Sequence, residues 1–180
     1  MSKALVMYYS VYGTTKKYAQ WIAEELNAEI CERKKADQNS LANYDTIVLG
    51  SGLYAGVIQG LDLIIKNYEV IKNKKLVLFT CGLADYSNQV NINNIQKRID
   101  VKLPENIRSN VKVFFLQGGV NYKELSFIHK IMMGMVKLSI KRKSPNKRND
   151  EDKEFLKTYG QTLDFTSKKN IAALVSYCKS

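Results

Sequence analysis

With one histidine, three cysteines and two prolines in 180 residues, the chain lacks the raw material for several chemistries. His129 is the only histidine, and it falls in an apolar stretch where packing or a surface position is the expectation. No serine–histidine–aspartate set emerges around it, and no carboxylate pair has an interpretable spacing, so hydrolytic chemistry is disfavoured. Cys31, Cys81 and Cys178 are far apart, with no CxxC and no metal-ligand cluster. An odd set without a pairing pattern fits a reducing cytosol. No run reaches the roughly 18 to 20 apolar residues of a spanning helix. The opening apolar run is too short for a secretory signal and already reads as a good strand. These absences predict a cytoplasmic protein, with a peripheral place at the inner face of the membrane as the variant.

What is present is an ordinary globular composition, 45% apolar and 25% charged, enough for one domain over residues 1–180 with a full core. The formal net charge of +11 is high for this size. It points to an acidic partner, an anionic ligand or a membrane surface, and has no bearing on fold. Nucleic acid is the weaker reading, because the basic residues are spread along the chain without a recognition motif or an aromatic stacking platform.

The chain is organised around Ala4 to Thr15 and the helix that follows. Ala4 to Tyr9 is an apolar run of strand length, and it breaks at Ser10-Val11-Tyr12-Gly13. Thr14-Thr15 then open a helical period with Tyr18, Ile22 and Leu26 on one side. Such a turn is an anion site: its N–H groups converge, the helix dipole favours negative charge, and Gly13 lets the backbone come close. No lysine follows Gly13 as in a P-loop, and no further glycines complete a dinucleotide fingerprint. One phosphate group is what the turn suits. An ordinary helix cap by Ser10 or Thr14 is the plainer alternative.

Further strands are expected at Glu29–Arg33, Tyr44–Ser51, Lys75–Cys81 and Asn110–Gly118, with a polar linker at 34–43. Helices are expected over 61–71, with Leu61, Ile64, Ile65 and Tyr68 on one face, over 89–101, and from Glu151 or Lys157 toward Tyr177. This alternation predicts βαβ units and a parallel sheet with helices on both faces. In such sheets ligands bind beyond the carboxyl ends of the strands. Here those ends carry Ser10–Thr15, Gly50–Gly56, Thr80–Asp85 and Gln117–Asn121, all rich in small or polar residues.

On these residues the chain resembles the flavodoxin family. Ser10-Val11-Tyr12-Gly13-Thr14-Thr15 is similar to the family's phosphate loop, with Tyr12 where a threonine or serine is usual. The resemblance implies an α/β, flavodoxin-like, doubly wound five-stranded parallel sheet of order 2-1-3-4-5. It also implies FMN as cofactor, its phosphate in that loop. The isoalloxazine ring would lie between Ser51, Gly52, Leu53, Tyr54, Ala55 and Gly56 on one side and Thr80, Cys81, Gly82 and Leu83 on the other. Gly118 and Gly119, with Asn121 and Tyr122 beyond them, would border the site.

An insert of about 122–155 precedes the last helix. Following Gly118-Gly119-Val120-Asn121-Tyr122, it is similar to the distinguishing element of the menaquinone-dependent protoporphyrinogen IX dehydrogenases built on this fold. That implies an oxidoreductase acting on an apolar small-molecule substrate and passing electrons to a quinone. A soluble flavodoxin electron carrier and a non-enzymatic binding module of the same fold remain alternatives. On a helical wheel, Ser126, Lys130, Gly134, Lys137 and Lys141 gather on one narrow side, and ten apolar residues cover the rest. Such a helix either lies on an anionic membrane surface or an apolar ligand, aided by the basic run Lys141–Arg148, or packs on its own domain or in a homo-oligomer.

Overall fold

The computed structural model describes residues 3–35, 38–54 and 57–180. The chain divides into two compact units, one of residues 1–118 with 165–180 and one of residues 119–164.

In the first unit, β1 (Ala4–Tyr9) runs into α1 (Thr14–Leu26), and the chain returns through β2 (Glu29–Glu32). Then come β3 (Thr46–Tyr54), the short β4 (Val57–Ile58), α2 (Leu61–Lys66) and α3 (Tyr68–Ile71). They lead to β5 (Lys75–Gly82), α4 (Gln89–Lys102), α5 (Glu105–Arg108) and β6 (Val111–Gln117). Five strands pair in parallel in the order β2-β1-β3-β5-β6, and β4 folds back antiparallel on the end of β3. This is the doubly wound order that the family resemblance implies.

Apolar runs without alternation, such as Leu5-Val6-Met7 and Leu76-Val77-Leu78-Phe79, are what a sheet covered on both faces requires. Their side chains alternate between two cores. Leu5, Met7, Ile47, Leu49, Leu76 and Leu78 face one side, with Ile64, Ile71, Ile95 and Ile99 packed on them. Val6, Val48, Val77 and Phe79 face the other, under Tyr18, Ala19 and Ile22 of α1. Each such side chain stabilises the fold by about 1.5–3 kcal/mol through burial.

The second unit begins with β7 (Gly119–Asn121), which pairs antiparallel with β8 (Thr162–Asp164). Between them lie α6 (Phe127–Arg142) and α7 (Asp150–Thr158). Asn149 and Asp152 form a reciprocal capping box at the start of α7, and Lys143 pairs with Asp152 at 2.8 Å. Lys143 first and the Asn149 N–H after it hold the Asp152 carboxyl below its usual range. The chain then re-enters the first unit and closes with α8 (Ala172–Lys179), whose Leu174 and Val175 join the α1 side of the core.

Three expectations need correction. The helix over 61–71 is two short helices, because Asn67 leaves helical geometry (φ −108°) and its amide donates to the Leu63 carbonyl at 2.8 Å. On it Leu63 is buried in place of Ile65. The expected linker contains turns at Arg33–Lys35 and Gln38–Asn43, and its Leu41 is fully buried. The expected last helix is α7, β8 and α8 in succession. Gly160, at φ +89°, ends the first part, and the pairing of β8 with β7 interrupts the helical path.

Gly50 lies opposite Phe79 across the β3–β5 pair, and a Cβ there would meet the Phe79 ring at 2.2 Å. Gly50→Ala is therefore expected to cost about 1–3 kcal/mol by overpacking. In a Phe79→Ala background the same change costs much less, since the two residues are in contact. Urea midpoints of the four proteins measure the coupling, and equal costs in both backgrounds would contradict this packing.

Candidate functional site

The carboxyl ends of β1, β3, β5 and β6 meet along one rim of the first unit. The turn after β1 is shaped by Gly13, the N-cap of α1, at φ +89°, where a side chain would be strained. The Gly13 N–H donates to the Ser10 hydroxyl at 3.1 Å. Val11 is exposed, and its N–H donates to the hydroxyl of Tyr54 at 2.7 Å, from the end of β3. The N–H of Tyr12 and the Ser10 hydroxyl also act on that phenol oxygen. The Tyr12 ring meets the Tyr54 ring edge-on at 5.8 Å. Tyr54 folds back over Gly52, where a Cβ would come within 2.5 Å of its ring.

The β5 and β6 ends close the rim. Thr14 accepts from the Cys81 thiol at 3.6 Å. A Cβ on Gly118 would lie 2.6 Å from Cys81 Sγ and 3.3 Å from Thr14 Oγ1, so this approach requires glycine. The Gly118 N–H donates to the Gly82 carbonyl at 2.7 Å. The Leu83 carbonyl accepts from the Gln117 amide at 3.3 Å.

Two threonines on this rim are fully buried, Thr15 and Thr80, and the hydroxyl of each has no hydrogen-bond partner. A buried hydroxyl without a partner is costly, on the order of 1–3 kcal/mol, and suits a place where a ligand supplies the missing bond.

Other expected residues have different commitments. The Ser51 hydroxyl, fully buried, accepts from the Gln59 N–H at 2.9 Å and so holds the β3–β4 return. Leu53 is half-buried and packs toward Gly82. Ala55 and Gly56 lie outside the described residues. Gly119 belongs to the second unit, where a Cβ would be 2.3 Å from the Leu163 carbonyl, so it serves strand pairing. Asn121 accepts from the Thr162 hydroxyl at 3.0 Å, and Tyr122 stacks at 5.0 Å from Tyr159, both within that unit.

Tyr86 is a rim residue absent from the sequence expectations. Its hydroxyl is buried without a partner, 2.7 Å from where a Cβ on Gly82 would stand, and its ring packs 5.8 Å from Phe115. The available signal was an aromatic residue just past Asp85 in the same loop. Asp85 itself turns the chain there, accepting from the Ser87 N–H and hydroxyl, each at 2.8 Å. These bonds, the N–H first, hold its carboxyl below the usual range.

The flavodoxin domain family matches residues 5–148. The chain belongs to that family. An uncharacterized protein of Methanocaldococcus jannaschii is 39% identical over 84 residues, 43% of this chain and 53% of its own length. The chain thus spans about half the length of the curated relative it matches. Among solved structures, a WrbA-like flavodoxin of Agrobacterium tumefaciens is similar at 21% identity and a TM-score of 0.47, over 72% of this chain and 88% of that one. Oxidised flavodoxin 1 of Bacillus cereus is similar at 17% identity and a TM-score of 0.43, over 64% and 84%.

Burial raises the Tyr54 phenol above its ordinary value, against the lowering pull of the Val11 and Tyr12 N–H groups. It raises Tyr86 further, with Cys81 adding to the effect. A phenol with a raised folded value contributes stability that is complete below the unfolded value of about 10 and is lost as pH climbs through the folded one. Stability is expected to fall above about pH 10. Tyr86→Phe removes an unpartnered hydroxyl, so it should leave neutral-pH stability unchanged or higher and shrink the alkaline loss. Urea denaturation at pH 7 and at alkaline pH checks both.

Proposed function

We propose that this flavodoxin-family protein binds FMN on the rim of its parallel sheet and acts as a redox protein. The single observation that carries the reading is the pair of fully buried, unpartnered hydroxyls of Thr15, in the first turn of α1, and Thr80, near the end of β5. The residues fit the group. Thr15 and the N–H groups of the Ser10–Thr15 turn would hold the phosphate, with the helix dipole favouring its charge. Thr80, Gly82 and Leu83 would supply polar contacts to the ring, and Tyr54 and Tyr86 would border it. The bound flavin supplies the electron-accepting ring, and the protein supplies its orientation and electrostatics. The net charge of +11 favours a negatively charged bound form, and with it an anionic substrate or partner.

Thr15→Val tests the site. The hydroxyl has no partner within the protein, so folding stability should hold or rise. FMN affinity should fall by about 10- to 100-fold, the equivalent of one hydrogen bond to a charged group. Absorbance after desalting and a fluorescence titration with FMN give the readout. A wild-type protein that stays colourless and ignores added FMN would leave the binding-module alternative.

A finer reading is an oxidoreductase of the protoporphyrinogen dehydrogenase type, with an apolar substrate and a quinone acceptor. The observation favouring it over a soluble carrier is the outward face of α6. Phe127 and Ile128 are 78% and 68% exposed, and Ile131, Met135, Val136 and Leu138 are exposed with them. Gly134 and Lys137, on the polar side of the wheel, face inward instead, with Lys137 Nζ 3.9 Å from the centre of the Tyr159 ring. No helix among the described residues is long and apolar enough to cross a membrane. An exposed apolar stripe beside Lys141, Arg142 and Lys147 suits an anionic lipid surface, at about 1 kcal/mol per basic residue near it. Vesicles with anionic lipid should sediment the protein at low salt and release it at high salt, and Phe127→Ser with Ile128→Ser should abolish the effect. Equal recovery in the supernatant with and without such vesicles would sink the membrane part and favour the carrier.

A further inference from the structure

Given the flavin reading of the rim, we infer that the Tyr54 hydroxyl is a resident ligand of the anion loop, which only a phosphate-bearing ligand displaces. Val11 donates its N–H to that oxygen at 2.7 Å, and the Tyr12 N–H and Ser10 hydroxyl converge on it too. These are the donors that a phosphate oxygen would use at this turn. The phenol therefore stands in for the anion and keeps the loop's donors satisfied, where an empty loop would leave them unpaired.

Two further observations support an exchange. The buried Thr15 hydroxyl remains without a partner while Tyr54 occupies the loop, so the phenol meets only part of the loop's demand. The Tyr54 ring also meets its aromatic neighbours edge-on, Tyr9 at 6.3 Å and Tyr12 at 5.8 Å, and rests on a glycine, Gly52. Edge contacts of this kind survive a modest rotation of the ring. A dianionic phosphate makes charge-assisted bonds stronger than those of a neutral phenol, and so displaces it. A flavin without phosphate has no group that competes for the Val11 N–H. Tyr54 would thus set a preference for the mononucleotide over the free isoalloxazine–ribityl compound.

The test compares the full-length protein with Tyr54→Phe, which keeps the ring and removes only the oxygen. Binding of FMN, riboflavin and inorganic phosphate is measured by calorimetry, and the Val11 amide is followed by NMR. The variant is expected to bind FMN and phosphate about fivefold more tightly, the equivalent of one modest hydrogen bond no longer broken, with riboflavin unchanged. Equal FMN affinities in the two proteins would overturn the role of Tyr54 and leave the flavin site standing. Binding of neither FMN nor phosphate by either protein would overturn both. In the wild type alone, the nuclear Overhauser contact between the Val11 amide and the Tyr54 ring should vanish on adding FMN. Its persistence in the complex overturns the exchange even if the variant does not fold.

Discussion

One buried phenol ties the site to the fold. Tyr18 is fully buried in α1, and its hydroxyl donates to the Gln117 carbonyl at 2.6 Å. The same oxygen accepts from the Asn170 amide at 2.8 Å and from the Ser167 N–H at 3.4 Å. It therefore joins the helix that follows the Ser10–Gly13 turn, the end of the last parallel strand and the segment Ser167–Asn170. Gly118 follows Gln117 directly, and its closeness to Cys81 and Thr14 depends on that strand end being held. A hydroxyl with three partners inside the protein is worth more here than its bond count, because low dielectric strengthens each bond and raises the cost of losing one.

The rest of the rim follows from sheet geometry. Parallel register puts Tyr9 beside Ser51, Ser51 beside Thr80, and Gly82 beside Gln117, so residues distant in sequence arrive at one edge. What the edge then needs is space and donors. Glycine supplies the space at Gly52, Gly82 and Gly118, each of which faces a side chain that a Cβ would strike. The donors are the turn N–H groups and the unpartnered threonine hydroxyls. The Tyr54 oxygen meets one of those donors, the Val11 N–H at 2.7 Å.

The parallel sheet and its glycine-bearing turns were legible in the sequence, because apolar strand runs and such turns are local signals, whereas the strand order came from the family resemblance. The commitments of individual hydroxyls were not. Ser51 and Ser10 are the same residue type near the ends of neighbouring strands, yet one is fixed on the Gln59 N–H and the other accepts from the Gly13 N–H. Only the β3–β4 return decides between them, and a two-residue strand such as Val57–Ile58 leaves almost no periodicity to read. Tyr86 escaped for a related reason: its hydroxyl lies over Gly82 and its ring packs on Phe115, which lie on two different strands. The break at Asn67 turns on one side-chain bond to a backbone carbonyl, a competition with helix geometry that residue propensity only hints at.

The orientation of α6 departs most from simple amphipathic logic. A wheel reading turns the broad apolar arc inward and leaves Lys130 and Lys137 in water. Instead Lys137 lies over the face of Tyr159, which is itself packed between Tyr122 and Phe155. An aromatic face attracts a cation by about 0.5–2 kcal/mol, and the lysine stem adds apolar cover. Gly134, one turn earlier on the same side, leaves room for the Tyr159 hydroxyl 3.7 Å from where its Cβ would be. Gly134 and Lys137 of the narrow side thus face the Tyr159 ring. Of the broad apolar arc Leu125 and Ile140 are buried, whereas leaving Phe127 and Ile128 in water forfeits several kcal/mol of burial (about 1.5–3 for each).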